Sequence, residues 1–95
     1  MRDAPLTEAE LAGALVALPT WSVAAGKLTT TRDLPSFLAA VAFVGSVAQV
    51  AEGLDHHPDI DVRWRTVRLA VNTHDSGGAI TARDLELARQ VDQLS

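Results

Sequence analysis

The chain has 95 residues, of which 47% are apolar and 21% charged, a balance typical of one small globular domain covering residues 1–95 and too short for two. A net charge of −4 argues against binding that depends on neutralising phosphates, so we expect no nucleic-acid partner. Because cysteine is absent, disulfides, thiolate nucleophiles and cysteine-ligated metal centres are excluded.

The first predicted element is a helix that begins after Thr7. Thr7 and Glu10 have the spacing of a capping box, in which the threonine hydroxyl accepts from the Glu10 amide and the Glu10 carboxylate reaches back. Pro19 cannot continue a helix, so the first helix is predicted to end near Leu18.

A first hairpin is predicted next in the chain. Segments 21–24 and 27–31 are rich in residues that favour strands, and they flank Ala25 and Gly26. A two-residue loop that contains glycine is typical of a tight turn between antiparallel strands.

The middle of the chain predicts a second helix that begins at an Asp33 N-cap, has Pro35 in its first turn and ends near Leu54. Its apolar residues recur at helical spacing; they are Phe37, Leu38, Val41, Val44, Ala48, Ala51 and Leu54. The apolar stretch 37–51 is interrupted by polar residues, and we expect it to be too short to span a bilayer. A soluble, cytoplasmic protein with no membrane partner is therefore expected.

Two further strands are predicted from strict alternation of apolar and polar residues. A hairpin that turns at Arg65-Thr66 pairs Trp64 with Val67, Val62 with Leu69 and Ile60 with Val71. All six side chains then share one face, so this register agrees with the hydrophobic pattern. In this interpretation Trp64 packs in the core.

A second capping box, Thr81 with Asp84, begins a third helix that is predicted to reach the C-terminus. Its predicted inner face is formed by Leu85, Ala88, Val91 and Leu94. The element order α-β-β-α-β-β-α predicts an α+β fold with an antiparallel four-stranded sheet covered by helices.

Three histidines are the candidates for chemistry: His56, His57 and His74. Extending the predicted register outward sets His57 opposite His74, where Cβ atoms of cross-strand neighbours lie about 4.5–5.5 Å apart. An imidazole with an ordinary pKa of about 6.5 gives or takes a proton near neutral pH. A cluster of them around one cleft is suited to protonating a leaving group and deprotonating its neighbour in one elimination.

Other interpretations of these residues remain open. A single histidine more often has a structural role than a catalytic one, and Asp84 is explained first as a helix cap. Metal binding is a weaker alternative, because no pair of histidines has the spacing of a helical metal motif. Its candidate donors are His56, His57, Asp59, Asp61 and His74. A serine hydrolase is weaker still, since no GxSxG segment occurs, and Gly77-Gly78 is interpreted as a flexible turn.

Considered together, the spaced residues resemble the signature of the pterin-4a-carbinolamine dehydratases. The matching positions are Glu52, His56, His57, Pro58, Trp64, His74 and Asp84. The similarity covers nearly the whole chain, and the element order is similar to that family's fold. Ile60 departs from the pattern, because an aromatic residue often follows the histidine pair in that family.

The resemblance implies a dehydratase that removes water from 4a-hydroxytetrahydropterin to give quinonoid dihydropterin, which supports recycling of tetrahydrobiopterin. It implies that His56 and His74 are the catalytic acid–base pair and that His57, the third catalytic histidine, holds the pterin ring. Neither proton transfer requires a metal or a redox centre, so no cofactor is expected.

The resemblance also implies which residues surround the reacting groups. The expected substrate-binding residues are His56, His57, Pro58, Thr73, His74, Asp75 and Ser76, and the expected supporting residues are Glu52, Asp55 and Asp84. Family members are homodimers or homotetramers, which agrees with the thin core of so small a domain. The alternative function is a non-catalytic oligomeric interaction or dimerisation module with the same fold.

Overall fold

The computed structural model describes residues 3–94, and within that range it confirms the predicted α+β fold and element order. The elements are α1 (Glu8–Leu15), β1 (Trp21–Ala24), β2 (Lys27–Asp33), α2 (Phe37–Leu54), β3 (Asp59–Arg63), β4 (Thr66–Val71), a short 3-10 turn (His74–Ser76) and α3 (Ala82–Asp92). The four strands form one antiparallel sheet in the order β1-β2-β4-β3.

Both predicted capping boxes are present, and each determines where its helix begins. The Thr7 hydroxyl accepts from the Glu10 amide while the Glu10 carboxylate accepts from the Thr7 amide, and α3 is capped in the same way by Thr81 and Asp84. The expected end of α1 at Leu18 was wrong by one turn. After Leu15 the chain tightens into i→i+3 bonds, in which the Leu18 amide donates to the Leu15 carbonyl.

The start of α2 also differs from the prediction. Its N-cap is Ser36, whose hydroxyl accepts from the Ala39 amide at 3.1 Å, and not Asp33. Asp33 is instead the last residue of β2, where its carboxylate accepts from the Thr66 hydroxyl at 2.8 Å. Pairing of β2 with β4 therefore holds Asp33 in the sheet, and Pro35 precedes the helix rather than lying in its first turn.

The predicted apolar stripe of α2 faces the core only in part: Ala51 is buried, and Val44 and Leu54 are partly buried against the core. The fully buried residues of α2 are Ala40, Val47 and Ala51, whereas Phe37, Leu38 and Val41 are exposed. Small alanine side chains let the helix approach its neighbours closely, and the large residues near its start, Phe37, Leu38 and Val41, are on the outer side. With 18 residues and a mean hydropathy of 1.7, α2 is long and apolar enough to cross a membrane. The sequence had predicted a shorter apolar stretch, residues 37–51, that would not span a bilayer. It packs against α3, β3 and β4, and 17% of it is buried in the described structure.

The β3–β4 register is displaced by two residues from the predicted one. Val62 pairs with Val67 and Ile60 with Leu69, so the loop of the hairpin is Trp64-Arg65. Because side chains alternate with a period of two, this even displacement keeps the predicted core face. Trp64 nevertheless leaves the core: it has a φ of 54° in the loop and is 72% exposed.

The helices cover one face of the sheet, and the core lies between them and that face. Leu28, Leu69 and Val71 project from the sheet into this core and are at most 2% exposed. Four elements meet at one end of the sheet. There α2 ends just before β3 begins, and β4 ends shortly before α3 begins. The candidate histidines lie at this junction.

Candidate active site

The end of α2 determines the opposite orientations of His56 and His57. Asp55 adopts the left-handed conformation (φ 49°, ψ 45°), and the His56 amide then donates to the Ala51 carbonyl at 3.0 Å, which closes the helix. Aspartate tolerates this conformation better than most residues. After the reversal His56 is 7% exposed, whereas His57 lies at the surface.

The loop after β4 presents His74 at the surface. Thr73 closes this loop at its base, since its amide donates to the Ala79 carbonyl at 2.8 Å and its carbonyl accepts from Gly78 at 3.1 Å. Gly77 and Gly78 have φ angles of 69° and 83°, which other residues adopt only with strain. These glycines, which were predicted to form a flexible turn, therefore form a tight turn whose backbone conformation favours glycine.

These two segments and the start of α3 enclose a cavity of about 300 Å³. All of its lining residues are polar: Asp55, His56, His57, Asn72, His74, Asp75 and Arg83. The cavity brings the three histidines together. The predicted ladder pairing of His57 with His74 was wrong, because regular pairing ends at Asp59 and Ala70 and His74 belongs to the following turn. The histidines converge because their segments leave the same end of the sheet.

A buried contact between His56 and Asp84 anchors the inner side of the cavity. His56 Nε2 lies 2.6 Å from Asp84 Oδ1, and Asp84 is 0% exposed. The other carboxylate oxygen, Oδ2, accepts from the Thr73 hydroxyl at 2.8 Å and from the Thr81 amide at 2.8 Å. A carboxylate that accepts from these donors is suited to hold a proton on His56 Nε2.

Two threonines extend this contact into a directed chain of hydrogen bonds. Because the Thr73 hydroxyl donates to Asp84, the Thr81 hydroxyl donates to Thr73 across 2.7 Å, and it accepts from the Arg83 amide at 3.2 Å. Within residues 3–94 no buried side-chain nitrogen or oxygen lacks a partner. His56 Nδ1 has no hydrogen bond there and is therefore not fully buried, and His56 is one of the residues that line the cavity.

The other two histidines are held less firmly. His57 Nε2 lies 2.5 Å from Glu52 Oε2, and the two side chains are 56% and 77% exposed. Solvent weakens an exposed contact of this kind, so it orients the ring more than it stabilises the fold. In the described part of the chain the His74 ring has no hydrogen-bond partner, which leaves both of its nitrogens available to a ligand.

Three of the expected substrate-binding residues do not line the cavity. Thr73 is 1% exposed and lies beneath it, Ser76 donates to the Asp3 carbonyl at 2.6 Å, and Pro58 is half-buried between His57 and β3. Two lining residues were missed, Asn72 and Arg83. Each is adjacent in the chain to a predicted site residue, Thr73 or Asp84, and that proximity was a signal in the sequence.

Arg83 connects α3 to the end of α2 across the cavity. Its Nη2 donates to the Asp55 carbonyl at 2.8 Å. No group of three or more histidine, aspartate or glutamate side chains in residues 3–94 is arranged to hold a metal ion. The arrangement is therefore that of a polar pocket with three imidazoles and one guanidinium, suited to a small molecule that has both hydrogen-bond donors and acceptors.

Comparison with known proteins gives a consistent result. Residues 4–94 match the family described as "Pterin 4 alpha carbinolamine dehydratase". A Streptomyces coelicolor protein is 50% identical over 91 residues (96% of this chain, 90% of the relative), and a Nocardia farcinica protein is 47% identical over 90 residues (95% and 94%). Both are provisionally named pterin-4-alpha-carbinolamine dehydratases.

The fold also matches a solved structure from Brucella melitensis, described as a transcriptional coactivator/pterin dehydratase. The TM-score is 0.87 at 33% sequence identity, and the match covers 95% of this chain and 97% of the other.

Proposed function

This chain belongs to the pterin 4 alpha carbinolamine dehydratase family, and from that premise we propose that it removes water from 4a-hydroxytetrahydropterin to give quinonoid dihydropterin. The product class is one that a reductase returns to tetrahydropterin, so the activity supports recycling of a pterin such as tetrahydrobiopterin. The observation that carries the proposal is the cavity in which three imidazoles meet, one of them backed by a buried carboxylate.

The proposed base is His56. Asp84 accepts from Nε2, so Nδ1 carries the lone pair, and His56 lines the cavity. In the reaction Nδ1 takes the proton from pterin N5, and the N5–H electron pair becomes the new C4a=N5 bond. The imidazolium that forms is stabilised by the Asp84 carboxylate, the same relationship that a buried aspartate has to histidine in a catalytic triad.

The proposed acid is His74. It is exposed at the mouth of the cavity, where it exchanges protons with solvent between turnovers. It protonates the C4a hydroxyl as the C–O bond breaks, and the hydroxyl leaves as water. One proton enters the leaving group and one leaves N5, so the step needs no oxidant, reductant or metal.

The remaining polar groups are suited to hold the pterin ring, whose edges carry both donors and acceptors. His57, oriented by Glu52, is the proposed ring contact. Asn72, Asp75 and Arg83 offer an amide, a carboxylate and a guanidinium to the same cavity. Thr73 and Ser76, which the family resemblance assigned to the substrate, do not line the cavity and act in this proposal from behind its wall.

We also propose that the soluble, cytoplasmic form is a homodimer or homotetramer that assembles through α2. The outer side of this helix carries Phe37, Leu38 and Val41, which are 52%, 78% and 48% exposed. An apolar surface of this kind on a small domain is typical of an interface. The same surface supports the alternative function, a non-catalytic interaction module, and the Brucella melitensis protein is described as a transcriptional coactivator as well as a dehydratase.

A stopped-flow assay with freshly generated 4a-hydroxytetrahydropterin tests the proposed function. The enzyme is expected to exceed the spontaneous dehydration clearly, and to lose that excess when His56→Ala and His74→Ala are combined. An interaction module would leave the spontaneous rate unchanged with either chain. Exhaustive chelation is expected to leave turnover intact, and a loss of turnover would favour the metal alternative.

A further inference from the structure

We propose that the segment Asp3–Leu6 is a strap that positions the two loops of the cavity, with Asp3 and Ser76 as its positioning residues. This inference rests on the proposed function for its effect on turnover, but its structural part is independent of it. The strap contains none of the residues that line the cavity.

The strap is fixed at both ends to the segment that connects β4 to α3. The Leu6 amide donates to the Ile80 carbonyl at 2.9 Å, and the Ser76 hydroxyl donates to the Asp3 carbonyl at 2.6 Å. It therefore runs along residues 76–80, the part of this segment that follows His74 and Asp75.

The hydroxyl contact matters because the backbone hydrogen bonds of the His74 turn are all local. The turn His74–Ser76 is followed directly by two glycines, and its backbone hydrogen bonds all lie within residues 73–79, including those from Gly77 to the His74 carbonyl and from Ala79 to the Ser76 carbonyl. Of its three side chains, Ser76 alone makes a hydrogen bond within residues 3–94. Among the described hydrogen bonds of this turn, the one from Ser76 joins it to a segment outside residues 73–79, so the position of His74 relative to the rest of the fold depends on the strap.

The carboxylate of Asp3 acts on the opposite wall. Asp3 Oδ2 lies 3.8 Å from Arg83 Nε, while Arg83 Nη2 donates to the Asp55 carbonyl, next to His56. Arg83 lines the cavity and its side chain is 33% exposed. Asp3 thus contacts both walls, one through its carbonyl and Ser76, the other through its carboxylate and Arg83.

Acid–base catalysis is sensitive to such positioning, because a displacement of about 1 Å can cost up to about 10²-fold in rate. We expect Ser76→Ala to lower kcat by about 3–10-fold with a small change in KM, and Ser76→Thr to restore most of it. Asp3→Ala is expected to raise KM through Arg83, and Asp3→Asn to recover part of the loss. The matched control is Ser46→Ala, which also removes one serine hydrogen bond, from Ser46 to Ala42 in α2.

A measurement on the protein without substrate separates a strap from a direct pterin contact. Amide hydrogen exchange at residues 74–79 is expected to accelerate several-fold in Ser76→Ala and to stay unchanged in Ser46→Ala. The Ser76→Ala and Asp3→Ala effects on exchange are expected to be less than additive, since both act through one segment. Unchanged exchange in Ser76→Ala, whether or not activity falls, would overturn the strap.

The exchange experiment remains decisive if the wild-type chain does not turn over the carbinolamine. In that case the proposed function fails, while faster exchange in Ser76→Ala still supports the strap. Conversely, full turnover with unchanged exchange in Ser76→Ala supports the enzyme and rejects the strap.

Discussion

His56 and Asp84 lie 28 residues apart in the chain, yet their side chains meet at 2.6 Å in the protein interior. Asp84 caps α3 and at the same time holds the imidazole that lines the cavity. A single carboxylate therefore joins the start of a helix to the proposed catalytic base, and substitutions at this position should affect both stability and activity.

Substituting Asp84 with alanine is expected to lower the free energy of unfolding by about 2–5 kcal/mol, because three buried donors lose their acceptor. Urea titration followed by circular dichroism measures this loss. Asp61→Ala, which removes an exposed carboxylate from β3, is the control and should change stability by less than about 1 kcal/mol. Equal effects of the two variants would contradict the assigned network.

Individual removal of His56 and His74 is expected to reduce kcat by about 10²–10⁴-fold each, the usual contribution of a positioned acid or base. The two should differ in stability. His74→Ala removes an exposed ring with no described partner, so the urea midpoint should stay close to that of the wild type. His56→Ala leaves Asp84 Oδ1 without its partner and should lower that midpoint. Unchanged kcat in either variant would remove that residue from the mechanism.

His57 is expected to act on substrate binding. His57→Ala should raise KM by about 3–10-fold with a smaller change in kcat, which corresponds to the loss of about one hydrogen bond. Glu52→Gln should shift KM in the same direction by a smaller factor, since it leaves the ring present and removes only its orienting carboxylate. Neither change should alter the urea midpoint noticeably, because this pair is exposed. A selective loss of kcat would instead make His57 a proton-transfer group.

The apolar outer side of α2 gives a prediction about assembly. Leu38→Glu should convert the protein to single chains, as measured by light scattering after size-exclusion chromatography, because a charge in an apolar interface is unfavourable. The subunit should stay folded, since Leu38 is 78% exposed within it. Val16→Glu alters a comparably exposed residue, 82% exposed at the end of α1, and should leave the mass unchanged. Identical masses for the wild type and Leu38→Glu would exclude Leu38 from the interface.

The fold could be predicted from the sequence because its start signals are local. The two capping boxes and the Ala25-Gly26 turn each depend on residues a few positions apart, and all three are present. The N-cap of α2 was predicted at the wrong residue because the Asp33 carboxylate can accept either from amides at a helix start or from a side chain on a neighbouring strand. The pairing of β2 with β4 decides between these two roles, and it is not visible in the local sequence.

The site was harder to predict in detail than the fold. Three histidines near one end of the sheet could be predicted, because alternation places the strand ends together even when the register is displaced by two residues. The series of hydrogen bonds Thr81–Thr73–Asp84–His56 could not be predicted, since a hydroxyl buried by tertiary packing has no sequence pattern of its own. For the same reason Ser76 was interpreted as a substrate contact rather than as a partner of Asp3.

Because Asp84 both caps α3 and holds His56, selection for a stable fold would preserve part of the site without selection for activity. In a lineage that lost the activity, substitution of His74 would have little effect on stability. His56 and Asp84 would be retained, because folding still requires their contact. Among descendants of such a protein, the presence of His74 is therefore a better indicator of dehydratase activity than the presence of the buried His56–Asp84 pair.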